Sequence, residues 1–166
     1  MALTTSKNSH SVPHPSHGSE AIYYMAHALY TKAYIGGILS RILKRLNQFL
    51  FHVNIPSQVK IGKHLELVHG GFGVVMHHDT IIGDDAIIFH NVTIGNGGAR
   101  IGNNVYIGAG AVIIGAIKIG NDVSIGANTV VNFDVPSGAT VVGARSKIIT
   151  AEEKEQKSKK EGPPHQ

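Results

Sequence analysis

The sequence predicts an all-β solenoid of parallel strands preceded by a helical segment. Three observations carry that prediction. From Ile82 an aliphatic residue returns every six positions: Ile88, Ile94, then Ile101, Ile107, Ile113, Ile119, Ile125 and Val131, with one seven-residue step from Ile94 to Ile101. Gly follows the lead residue in most units, and a small or β-branched residue stands four places after it (Ala86, Val92, Val105, Ala111, Val123, Thr129). Gly and β-branched residues are also too frequent, and the period too far from 3.6, for a helix. Six residues suit a short strand plus a sharp corner. The lead aliphatic and the small residue point inward, and stacked coils bury columns that no single unit could bury alone. Gly beside the lead residue permits corner backbone angles. Asp84, Asp85, Asn103, Asn104, Asn121 and Asp122 stand at corners, where their side chains cap the bend.

Taken in order, residues 1–19 are rich in Ser, His and Pro, have almost nothing to bury, and read as a disordered arm. The arm lacks the basic region and apolar core of a signal peptide, so the expected location is the cytoplasm. Residues 20–50 are helical in character, with Ser19 as N-cap and a break at Gly36-Gly37. Lys32, Arg41, Lys44 and Arg45 interrupt the apolar run, which excludes a transmembrane helix. In the second helix Ile38, Ile42 and Phe49 share a face that Leu39, Leu43, Leu46 and Leu50 extend, with Arg41, Lys44 and Arg45 opposite. The preferred reading is a helix that covers the open end of the solenoid or packs on its copies. The competing reading is weak, peripheral contact of residues 34–50 with an anionic membrane surface. The solenoid domain spans 51–149. Its coil begins near Ile55, continues through Ile61 and Leu67, and ends at Pro136. Residues 150–166 form a charged, Pro-ended tail, read as a frayed helix and a disordered end.

Composition narrows the function. The chain has 166 residues, a net charge of +4 and no Cys. Disulfides and thiolate metal sites are therefore excluded. Lys and Arg form no run interleaved with aromatics, so the basic balance does not indicate nucleic acid; a phosphorylated cofactor fits it. His10, His14 and His17 are scattered in the arm. His77 and His78 have only Asp79 beside them, so a solvated turn is expected there and no metal.

The candidate site follows from a break in the period. Leu67 and Ile82 are fifteen residues apart, two units plus three, and the extra residues sit in HGGFGVVMHHD. Departures from a strict repeat are where function is usually carried. With Ile82, Ile88 and Ile94 assigned to three faces in rotation, Leu67 falls on the face of Ile88. The residue two places after each lead on that face is His69, His90, Ala109 and Ala127. Coils stack about 4.8 Å apart. One edge thus carries two neighbouring imidazoles at one end and a smooth track of small residues beyond.

The [LIV]-G-x4 tandem resembles the hexapeptide-repeat acyltransferases, whose fold is a left-handed parallel β-helix with three residue-six units per coil. Within them, His69-Gly70-Gly71-Phe72-Gly73-Val74-Val75, Asn91-Val92-Thr93-Ile94-Gly95 and Val142-Gly143-Ala144-Arg145 are similar to serine acetyltransferase and its shorter relatives in polysaccharide gene clusters. The resemblance covers roughly residues 40–149. It implies acetyl-CoA as co-substrate, a homotrimer with the site between neighbouring prisms, and His69 as general base. An imidazole suits that role, because it can take a hydroxyl proton as the oxygen attacks the thioester and release it afterwards. Without Cys the transfer is direct. His90 is expected to hold the acceptor, tune His69 or itself act as base. Ala109, Gly110, Gly115, Ala116, Ala127 and Asn128 are expected to line the cofactor groove, and Arg145 and Lys147 to meet the CoA phosphates. Asn91 and Arg100 are candidate acceptor contacts. Two departures stand out. The family's Asp partner of the base is Asn54 here, able to orient an imidazole but not to stabilise its charged form. The loop after Ile94 is short, with Arg100 its only cation. Both turn the expected acceptor toward a hydroxyl on a sugar or glycan precursor, with serine O-acetylation for cysteine synthesis as the first alternative and a non-catalytic scaffold as the second.

Overall fold

A computed structural model describes residues 18–30 and 33–144, the side chains of 33–36 apart. The expectations for the N-terminal arm up to residue 17, for the charged tail, and for Arg145 and Lys147 lie outside the described residues.

Thirteen two-residue strands wind into a prism of three parallel sheets. The first face stacks β1 (Lys60–Ile61), β4 (Ile81–Ile82), β7 (Arg100–Ile101) and β10 (Lys118–Ile119). The second stacks β2 (Glu66–Leu67), β5 (Ile87–Ile88), β8 (Tyr106–Ile107), β11 (Ser124–Ile125) and β13 (Thr140–Val141). The third stacks β3 (Val75–Met76), β6 (Thr93–Ile94), β9 (Val112–Ile113) and β12 (Val130–Val131). Lead residues pair with lead residues: Ile82 with Ile101, Ile88 with Ile107, Ile94 with Ile113. Leads and the residues four places on fill the interior, and Ile88, Val92, Ile94, Val105, Ile107, Ile113, Val123 and Ile125 are fully buried. Burial of each such aliphatic side chain contributes roughly 1.5–3 kcal/mol.

Four details depart from the sequence expectations. Gly62, Gly83, Gly102, Gly108 and Gly120, each after a lead, serve close approach, not unusual angles: a Cβ on Gly83 would fall 2.8 Å from the carbonyl carbon of Gly102 in the next coil. The corner Asx side chains bond across coils instead of capping their own bends. Asn103 Oδ1 accepts from the Asp84 amide at 2.8 Å, and Asn121 Oδ1 from the Asn103 amide at 2.8 Å. This ladder satisfies amides that the corners leave free of the sheet. The winding also continues past Pro136, since β13 pairs with β11. Finally, the three extra residues lie only between Leu67 and Met76. His77 and His78 sit in an ordinary six-residue corner between Met76 and Ile82.

The helices are α1 (Gly18–Tyr30) and α2 (Ala33–Phe51). Ser19 is buried inside the first turn of α1 and is not the N-cap. Nor does the helix break at Gly36-Gly37, through which α2 runs. Each Gly costs a helix about 1 kcal/mol, and packing against α1 offsets that cost. The end of the solenoid is covered by α1. The Tyr23 hydroxyl donates to the Val59 carbonyl at 2.6 Å and the Tyr24 hydroxyl to the Gly62 carbonyl at 2.8 Å. His27 Nδ1 donates to the Ser57 carbonyl at 2.8 Å, and the buried Glu20 carboxylate accepts from the Leu67 amide. Burial pushes the Tyr23 phenol far above its ordinary pKa; Tyr24 is raised as well, burial again the first cause.

Candidate active site

The chain leaves the second face after Leu67 through a tight turn, Val68–Gly71, that no other coil among the described residues contains. His69, Gly70, Gly71 and Gly73 all have positive φ there, at 58°, 70°, 69° and 73°. Glycine adopts that region freely, whereas His69 pays roughly 1–2 kcal/mol for it. The tight run lets the chain spend three extra residues at the corner and rejoin the third face at Val75. Gly71 is needed for a second reason, since a Cβ there would press on Leu67 Cδ1 at 3.0 Å.

This turn puts the exposed His69 imidazole next to that of His90 in the coil above, edge to face with ring centroids 5.2 Å apart. His90 is half-buried, and its Nδ1 is buried with no hydrogen-bond partner among the described residues. Phe89 stands 6.4 Å from the His69 ring and 5.1 Å from Tyr106, all centroid to centroid. These two aromatics escaped the sequence reading. Their signal was present, since Phe89 precedes His90 and Tyr106 pairs with Ile87 on the outward side of the second face.

Above His90 the same corner continues through Ala109–Gly110 and Ala127–Asn128. The Gly110 amide donates to the His90 carbonyl at 3.1 Å, and the Asn128 amide to the Ala109 carbonyl at 2.8 Å. The column expected from the register therefore exists. Among the described residues, the Ala109 and Ala127 amides donate to no acceptor of the chain. Asn91 and Asn128 are equivalent corner residues, at φ 57° and 53°, each lying over a glycine of the coil below, Gly73 and Gly110.

The other candidates lie elsewhere in the single chain. Gly115 and Ala116 follow β9, at the corner between the third and first faces. Arg100 projects from the first face between Ile81 and Lys118. Asn54 bridges to Val75 at the start of the third face; its backbone bonds to Val74 and Met76, and its side chain makes no hydrogen bond to His69. His77, His78 and Asp79 cluster, with His78 Nε2 3.3 Å from Asp79 Oδ2, on three successive residues of one corner.

A parallel three-faced solenoid of hexapeptide units, with an imidazole pair at the foot of a small-residue edge, defines a class. Residues 98–132 match the bacterial transferase hexapeptide (six repeats) family, which makes the prism a left-handed β-helix. A serine acetyltransferase of Helicobacter pylori is 43% identical over 135 residues, 77% of this chain and 77% of that protein. The chain belongs to the serine acetyltransferase family. Among solved structures, a Neisseria gonorrhoeae serine acetyltransferase in complex with serine superposes with a TM-score of 0.67 at 35% identity, covering 78% of this chain and 55% of that one. A serine acetyltransferase in complex with CoA gives 0.70 at 31% identity, covering 79% and 55%. The chain thus spans about half the length of the solved relatives it matches.

Proposed function

We propose that this protein is a serine O-acetyltransferase, moving the acetyl group of acetyl-CoA to the hydroxyl of L-serine. The observation that carries the reading is the His69–His90 pair at the one irregular corner, in a chain 43% identical to a serine acetyltransferase. The sugar acceptor expected from Asn54 and the short loop finds no support among these relatives, and serine takes its place.

His69 acts as general base. It takes the hydroxyl proton as the serine oxygen attacks the thioester carbonyl. The tetrahedral intermediate then collapses, expelling the CoA sulfur, which recovers the proton from the imidazolium. A backbone N–H near the Gly-rich turn stabilises the oxyanion. His90 stands beside the base and holds the acceptor. The pantetheine arm lies along Ala109 and Ala127, bonding to their free amides, with Gly110 and Asn128 beside it. Arg145 and Lys147 meet the CoA phosphates. In a homotrimer a neighbouring copy brings Gly115 and Ala116, together with Arg100, to this open corner, where Arg100 holds the serine carboxylate. Asn54 and Asn91 support the corner on which His69 sits.

Thiol release from acetyl-CoA, measured with L-serine, homoserine and hexoses as acceptors, tests the reading. Serine-dependent release is expected, reduced on the order of 10²–10⁴-fold in His69→Ala. Release with hexoses only would move the acceptor to sugars. No release with any acceptor, and no acetyl-CoA binding, would leave a silent scaffold.

A further inference from the structure

Among the described residues, helix α2 turns most of its large apolar side chains away from the protein; Leu43 and Phe51, half-buried, are the ones on the inward side. A surface helix ordinarily turns its apolar stripe to the core and its polar side to water. Here the residues buried against the rest of the protein are Ser40 and Asn47. Ser40 Oγ bonds Ser57 Oγ at 2.7 Å, and Asn47 Nδ2 donates to the Ser19 carbonyl at 3.1 Å. Six large apolar side chains point away: Ile38, Leu39, Ile42, Leu46, Phe49 and Leu50 are exposed, Phe49 by 80%. At 100° per residue, Ile38, Ile42 and Phe49 lie directly opposite Ser40 and Asn47, so the centre of the outward face is apolar.

The cap explanation does not account for this face, because α1 already covers the solenoid end through Tyr23, Tyr24, His27 and Glu20. Charge selects the occupant. Residues 33–51 contain no Asp or Glu, while Arg41, Lys44 and Arg45 flank the apolar arc on one side. A second copy meeting this face antiparallel, about a two-fold axis across the helix, would set the two basic flanks on the same side, like charge against like. A cavity of about 230 Å³ on the basic flank is lined by Gly37, Ser57 and the donor side chains of Tyr30, Ser40, Arg41, Lys44 and Gln58, with no acid. An apolar centre with a cationic margin is the layout of a helix lying in the plane of an anionic lipid surface.

We propose that α2 docks this protein peripherally on anionic phospholipid membrane, with Ile38, Ile42, Leu46 and Phe49 in the acyl boundary and Arg41, Lys44 and Arg45 at the headgroups. Among the described residues no helix is long and apolar enough to cross the bilayer, so the contact is with one leaflet.

Flotation of the full chain with phosphatidylcholine vesicles, with and without phosphatidylserine, tests this. Binding is expected only with phosphatidylserine and weakens as salt rises. Phe49→Asp lowers the partition coefficient ten-fold or more and Arg45→Gln about five-fold, both leaving serine acetylation in solution unchanged. The proposal is overturned by no flotation with phosphatidylserine vesicles, or by flotation that Phe49→Asp does not alter. It is also overturned if native protein ignores vesicles and Phe49→Asp halves the solution mass, which would give the face to a second copy.

Discussion

The coils between Ile82 and Val131 and the coil entered at Leu67 begin alike and part at one corner. In the regular coils a lead returns on the next face after six residues, seven at the one step from Ile94 to Ile101, and strands stack in register on those of the neighbouring coils. After Leu67 the chain instead turns through His69, Gly70 and Gly71 and takes three extra residues to reach Met76. The regular coils are rigid because both inward columns and the corner ladders are satisfied. The irregular corner hangs from them, and it sets an exposed imidazole beside that of the next coil, His69 against His90, whereas His77 and His78 are neighbours within one ordinary corner. Rigid repeat and local exception therefore divide stability from chemistry.

The largest expected effect comes from erasing the exception. Deleting Gly70–Phe72 restores the six-residue step while keeping His69. Acetyl transfer should fall on the order of 10³-fold, the scale of losing a positioned general base, with the far-UV circular dichroism retained. Undiminished turnover would show that the turn is ornamental. Damage to a regular coil should do the reverse. Ile107→Ala removes a fully buried lead and should cost about 2–5 kcal/mol in denaturant unfolding, with little change in turnover per folded molecule.

Next in size is Gly83→Ala. Its methyl group meets the Gly102 backbone, so a loss of about 1–3 kcal/mol is expected. The same change at Gly37, where a Cβ meets nothing, should be neutral or slightly stabilising; equal losses at both would refute the close-approach account. The smallest effect concerns the cap. Tyr23 has a raised pKa in the folded state, so burial of its neutral phenol contributes stability that is complete below the unfolded value near pH 10 and declines as pH rises above it. Tyr23→Phe should cost about 1 kcal/mol at neutral pH through the lost bond to Val59, and should flatten that alkaline decline.

Much of the fold was legible because a period of six leaves few arrangements. The leads, the residues four places on, the three faces and the column His69–His90–Ala109–Ala127 all follow from counting. What counting could not place was the insertion. Fifteen residues from Leu67 to Ile82 allow the extra three on either side of Met76, and the run of positive φ at His69–Gly71 decides for the first. Likewise Gly after a lead predicts a corner, but only the stacked coils distinguish a need for space from a need for angle.

The helices mark the same boundary from the other side. Their existence and amphipathicity were in the sequence, as was the absence of a membrane-crossing run. Which helix caps the solenoid, and which way the apolar stripe of α2 faces, were not. A hydrophobic pattern specifies that a face seeks an apolar partner, but the partner is set by long-range contacts such as Tyr23 to Val59 and Glu20 to Leu67. By itself the sequence determined the repeat, its inward columns and the stacking of two imidazoles, because these depend on local period alone. The tertiary structure decided where the extra residues go and which faces remain uncovered, because those depend on how distant segments share one limited interior.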